Sequence, residues 1–240
     1  MNTHAEVQEK KLDLPDQLGS AVLYTNTSGK PKTGVIVIHE WWGLNDYARG
    51  RAKQLAELGY AAIAVDMYGN GKVADHPKDA QAFMMAAMME PEKMNARFQG
   101  AKNLLEKNTG LSSNHIYAIG YCFGGGVVLN QARMGTDLAG VASFHGMLDT
   151  KTPAEVGKVK AKVLVATGGA DPMAPADVVA KFVAEMQNAG VDLQLMTFPG
   201  VKHGFTNPDA TENGKKFDMP LAYDAYADKT SWEALLKFLK

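Results

Sequence analysis

Apolar and polar positions follow two rhythms along the chain. Short runs, VIVIH, YAAIAVD, HIYAIG, AGVASFHG, AKVLVATGG and DLQLMTFPG, are nearly continuous in apolar or β-branched residues, and longer segments with apolar positions at helical spacing lie between them. Continuous apolar runs suit strands covered on both faces. Strands that alternate with helices suit parallel neighbours, which need crossover connections. The pattern predicts an α/β fold, a mostly parallel central sheet of about eight strands with helices on both faces. Helices are predicted over 46–58, 123–134, 175–189 and 230–239. LDLP and SAVLYTN, set off by the turn-forming SGKPK, read as antiparallel edge strands before the first buried run.

In open sheets of this kind the ligand crevice lies beyond the carboxyl ends of the strands. The polar residues that close the runs are Glu40, Asp66, Cys122, His145, Asp171 and His203. Composition narrows what they can serve. The chain has 240 residues, of which 46% are hydrophobic and 21% charged, as expected of a globular chain read as one domain over 1–240. A net charge of -1 with no basic stripe argues against a nucleic-acid partner. No apolar run reaches the roughly 18 residues of a membrane span, so no membrane partner is expected. One cysteine excludes an intrachain disulfide. The N-terminus has no signal-peptide pattern, which favours a cytoplasmic location; a periplasmic or secreted one stays open if a leader has been removed.

The single cysteine lies in GYCFGGG, between the run HIYAIG and a predicted helix. This is the strand–turn–helix context of a G-x-S-x-G nucleophile elbow, with cysteine in place of serine. Glycines at 120 and 124 suit a turn in which strand and helix approach too closely for a Cβ, and in which the nucleophile takes a rarely populated backbone conformation. The helix behind Cys122 points its positive end at the sulfur, where negative charge is favoured. The N–H of Phe123 becomes a candidate oxyanion donor. Cysteine is also among the most buried residue types, and a small hydrophobe would satisfy the motif alone. Partners favour the nucleophile. His203, in FPGVKHGF, follows the last run, and Asp171, in ATGGADPMAP, follows the one before, giving the chain order nucleophile, acid, histidine.

With these motifs in view, the sequence resembles the dienelactone hydrolase family over nearly its whole length. The resemblance rests on HEWWGLN, VDMYG, GYCFGGG, GGADPMAP and HGF, in that order. It implies an α/β-hydrolase fold with a Cys122–His203–Asp171 triad and Glu40 as a fourth catalytic residue, holding the resting cysteine as a thiol until substrate displaces it. It also implies the Trp41 N–H as second oxyanion donor. Trp42, Tyr68, His145 and Phe205 are candidates for lining an apolar substrate pocket. Family members that hold a substrate carboxylate use two arginines; here Asn207 stands where one is expected, and Lys78 is the sole cation near the other. Dienelactone itself is therefore not the expected substrate.

The segment QAFMMAAMMEPEKM places Met84, Met85, Met88 and Met89 on one helical face, expected to pack on the core or over the crevice as a lid; a soft-metal site is the poorer reading. The expectation is a cofactor-free, metal-free hydrolase of a small-molecule ester or lactone, acting as a monomer or homodimer. The alternative is a non-catalytic small-molecule binding protein on the same fold.

Overall fold

The edge pair is present in the computed structural model, which describes residues 6–240. β1 (Val7–Asp13) pairs antiparallel with β2 (Ser20–Asn26), so only the start of LDLP is strand. Most of β1 is exposed, and its Glu9, Lys10 and Lys11 carry the charge that keeps an edge strand from pairing with another chain. That charge is also why no apolar run announced it.

The chain packs as two compact units, Met1–Ala118 and Ile119–Lys240. In the first, the strand order is β1-β2-β4-β3, with β4 (Ala61–Val65) antiparallel to β2 and parallel to β3 (Gly34–Ile38). Every residue of β3 and β4 is buried, as the unbroken apolar runs require. α1 (Asp46–Glu57) starts where the Asn45 side chain accepts the Ala48 N–H, and it buries Ala48, Ala52, Leu55 and Ala56. α2 (Pro77–Met88) and α3 (Pro91–Thr109) follow, the latter stopped by Gly110 in the left-handed conformation.

α2 corrects the core-packing half of the methionine expectation. Its buried residues are the small Ala80 and Ala87, whereas Met85, Met88 and Met89 are exposed. The wide methionine face does not pack on the core, because the helix turns its narrow alanine seam inward instead.

β5 (Ile116–Tyr121) carries the chain from the first unit into the second, whose strand order continues through β6 (Gly140–Phe144), β7 (Lys162–Gly168) and β8 (Leu193–Phe198). β6 and β8 both run parallel to β7. The helices of this unit are α4 (Phe123–Arg133), α5 (Ala176–Asn188), α6 (Ala210–Phe217) and α7 (Ala225–Phe238). α7 begins five residues before the predicted Thr230, since the Asp224 side chain caps it by accepting the Ala227 N–H.

Small residues bring α4 against β6: a Cβ on Gly125 would lie 2.5 Å from Ser143 Oγ and 2.7 Å from Gly146 Cα. The far end of α4 is tied to α5 by Arg133, whose Nε and Nη2 donate to the two Glu185 carboxylate oxygens at 2.8 and 2.9 Å. No helix among the described residues is long and apolar enough to cross a membrane.

Candidate active site

Cys122 is the joint between β5 and α4, with φ 53° and ψ -116°. A side-chain-bearing residue seldom adopts this conformation, at a cost of about 1–3 kcal/mol, and it persists only where the surroundings fix it. They do so here through hydrogen bonds. The Cys122 N–H donates to Phe144 O at 3.0 Å, and its carbonyl accepts from Gly125 N at 3.0 Å and Gly126 N at 3.3 Å. Gly120 leaves room for the turn, since a Cβ there would lie 2.0 Å from Gly124 O. The cysteine is 9% exposed, at the limit of burial rather than deep within the core.

The loop after β7 brings Asp171, and the loop after β8 brings His203, both almost wholly buried. His203 Nδ1 donates to Asp171 Oδ2 at 2.8 Å, and the other Asp171 oxygen accepts the Met173 N–H at 2.8 Å. With Nδ1 committed to the carboxylate, Nε2 is left without a well-formed hydrogen bond. Burial works against a charge on this ring. The Cys122 sulfur and then the Asp171 carboxylate outweigh burial and raise His203 from 6.5 to about 10. An imidazolium beside a sulfur, oriented by a carboxylate, can stabilise a thiolate and hand a proton to a leaving group.

His145 closes β6 with a positive φ of 39° and is fully buried. Its Nε2 meets Thr206 Oγ1 at 2.7 Å, and its ring lies edge-on to those of His203 and Phe205, each 5.1 Å away. His145 and Phe205 thus pack around the base. Asn207 is buried too, and its side chain accepts the Asp209 N–H at 3.0 Å, shaping the same loop.

The remaining predicted site residues belong to the first unit. Glu40 follows β3 and is buried. Trp41 and Trp42 stack edge to face with ring centres 5.0 Å apart. The Tyr68 hydroxyl donates to Trp41 O at 2.9 Å. Asp66 is committed to its own loop, accepting the N–H groups of Tyr68, Gly69 and Gly71 at 2.8–3.0 Å. Lys78 is an exposed residue in the first turn of α2. Among the described residues no group of three or more His, Cys, Asp or Glu side chains could hold a metal ion.

One residue of the HEWWGLN motif was given no role by the sequence. His39 ends VIVIH and is wholly buried between two backbone partners, accepting the Met67 N–H at 3.1 Å and meeting Glu40 O at 2.5 Å. A histidine closing an otherwise apolar buried strand was the available signal.

The dienelactone hydrolase family model matches residues 20–240, which includes every residue of this site. The chain belongs to the dienelactone hydrolase family. Among curated proteins it is 30% identical to Protein usf of Aquifex pyrophilus over 86% of this chain and 87% of the relative. It is 27% identical to a putative carboxymethylenebutenolidase of Saccharolobus solfataricus, covering 89% and 91%. Among solved structures, a dienelactone hydrolase-like promiscuous phosphotriesterase from metagenomic libraries matches with a TM-score of 0.87 at 30% identity, covering 97% of both chains. A putative dienelactone hydrolase from Klebsiella pneumoniae matches with a TM-score of 0.78 at 18% identity, covering 98% of both, which shows the shared fold. The mostly parallel strand arrangement with seven α-helices among the described residues is an α/β fold shared with these dienelactone hydrolase-like structures.

Proposed function

We propose that this protein is a cysteine-dependent hydrolase of carboxylic esters or lactones. The observation that supports this best is the buried Asp171–His203 pair, 2.8 Å apart, whose ring is raised against burial to about 10 by the Cys122 sulfur and then the Asp171 carboxylate, with that cysteine held on a strained turn. The Cys122 thiolate attacks the carbonyl carbon, and the oxyanion that forms is held by the N–H groups of Phe123 and Trp41. The carbon–oxygen bond breaks as His203 gives its proton to the departing alcohol, leaving a thioester. His203, now neutral, takes a proton from water, whose oxygen attacks the thioester and releases the acid and the sulfur. Asp171 keeps the ring in the productive tautomer throughout. Glu40 serves the resting enzyme by holding the sulfur as a thiol, which protects it from oxidation; it takes the thiol proton when substrate arrives, leaving the attacking thiolate, and returns it once the acid is released.

Asn207 and Lys78, where family members that bind a carboxylate use arginines, favour a substrate other than dienelactone, one that does not rely on a bidentate cation. The likeness to a promiscuous phosphotriesterase extends the proposal to phosphotriesters, with the same sulfur attacking phosphorus, a phosphorus–oxygen ester bond breaking as His203 protonates the departing alcohol or phenol, and water then cleaving the sulfur–phosphorus bond. The test compares wild type with Cys122→Ala on short p-nitrophenyl esters, simple lactones and a p-nitrophenyl phosphotriester, with mass spectrometry of the acylated protein. We expect turnover and a Cys122 acyl adduct in the wild type alone. Equal turnover in both proteins would refute the cysteine mechanism. A wild-type Cys122 that iodoacetamide alkylates no faster than an ordinary thiol would favour the binding-protein alternative.

A further inference from the structure

The loop that follows β3 contains two consecutive peptide units whose carbonyls are both held by side chains. The Met67 N–H donates to His39 Nε2 at 3.1 Å, so that nitrogen carries no proton. The proton is therefore on Nδ1, which donates to Glu40 O at 2.5 Å. Glu40 O also accepts the Gly43 N–H at 3.2 Å. The next carbonyl, that of Trp41, accepts the Tyr68 hydroxyl at 2.9 Å, and the Tyr68 ring lies edge-on to His39 with centres 4.8 Å apart.

In a trans peptide the N–H points opposite to the C=O of the same unit. The unit that joins Glu40 to Trp41 carries the Glu40 carbonyl and the Trp41 N–H. Fixing the first at two points fixes the direction of the second. Among the described residues the Trp41 N–H donates to no group, so the unit holds an uncommitted donor in a fixed direction. We propose that His39, seconded by Tyr68, is a positioning residue that aims the Trp41 N–H as an oxyanion donor. The proposal rests on the hydrolase reading above. It gives the strand-end histidine a task that burial alone does not require, since an apolar residue would continue β3 equally well.

Burial, only partly opposed by the bond to Glu40 O and by Asp66, lowers His39 to about 4, so the ring remains neutral and keeps one donor and one acceptor at the pH of assay.

The test separates oxyanion stabilisation from the reactivity of the sulfur. Ester hydrolysis builds negative charge on a carbonyl oxygen, whereas alkylation by iodoacetamide displaces iodide at a saturated carbon and needs no oxyanion donor. His39→Ala, His39→Gln and Tyr68→Phe are compared on p-nitrophenyl acetate and on the rate of Cys122 alkylation. For His39→Ala we expect kcat to fall about 10-fold, less than the loss of a whole donor, with KM and alkylation each within about 2-fold of wild type. His39→Gln, whose amide supplies one donor and one acceptor, should recover most of the loss, and Tyr68→Phe should lower kcat about 3-fold without changing alkylation. Hydrolysis and alkylation falling together, or neither changing, would overturn the positioning role. If circular dichroism shows that His39→Ala does not fold, Tyr68→Phe decides by the same criterion. Activity retained in Cys122→Ala would instead refute the parent reading, so the two failures are distinct.

Discussion

Two glycines of one motif respond in opposite ways to the same added methyl group. At Gly120 a Cβ would sit 2.0 Å from Gly124 O, 2.2 Å from Gly124 C and 2.7 Å from Gly125 N, all backbone atoms. None is the end of a flexible side chain, so relief requires β5 and the first turn of α4 to part by about 1 Å. Overpacking costs about 1–3 kcal/mol where side chains can yield. With backbone on every side we place Gly120→Ala at the top of that range, about 3 kcal/mol. For a chain of this size that lowers Tm by roughly 6–12 °C. The same displacement moves Cys122, and a 1 Å misplacement can cost about 100-fold in rate. At Gly126, inside α4, the nearest atom to a new Cβ is Met147 Cβ at 3.4 Å, an ordinary contact. There alanine should stabilise the helix by about 0.5–1 kcal/mol and leave esterase activity near wild type. Differential scanning calorimetry and p-nitrophenyl ester kinetics on the two variants check both signs. Equal Tm and equal activity for Gly120→Ala and Gly126→Ala would refute the close-approach argument.

Two further outcomes follow from the same geometry. His203 is raised in the folded protein from 6.5 to about 10, so the stability its charge confers is complete below about pH 6.5 and disappears as pH rises through about 10; Asp171→Asn should flatten that alkaline decline, measured as Tm across the interval, and lower kcat by at least about 100-fold. Glu185→Ala should cost about 3 kcal/mol in urea unfolding, because it strips the carboxylate from an Arg133 side chain that is only 2% exposed.

The parts of the site legible in the sequence were those in which one residue type answers one local demand. Gly120 and Gly124 flanking Cys122 have no cheap substitute in a strand-to-helix turn, and the apolar runs of β5, β7 and β8 located the residues that follow them. Helix ends came within a residue or two where the chain supplied a cap, as at Asn45, and further off where the cap lay upstream, as at Asp224. β1 was only half visible because charge on an edge strand imitates a loop. The methionine face of α2 misled because helical periodicity shows that a face exists, not which face turns inward; Ala80 and Ala87 settled that by allowing close approach. His39 was passed over because its partners are backbone atoms of Glu40 and Met67, and no side-chain pattern records a backbone acceptor.

The conformation of Cys122, with φ 53° and ψ -116°, has a consequence for how such a chain can change over generations. Glycine is the one residue that would occupy that joint without strain. A population screened for thermal endurance alone would therefore drift toward glycine at position 122 and shed the sulfur while keeping the fold. On the proposed cysteine mechanism, the side chain at this joint sets activity against endurance.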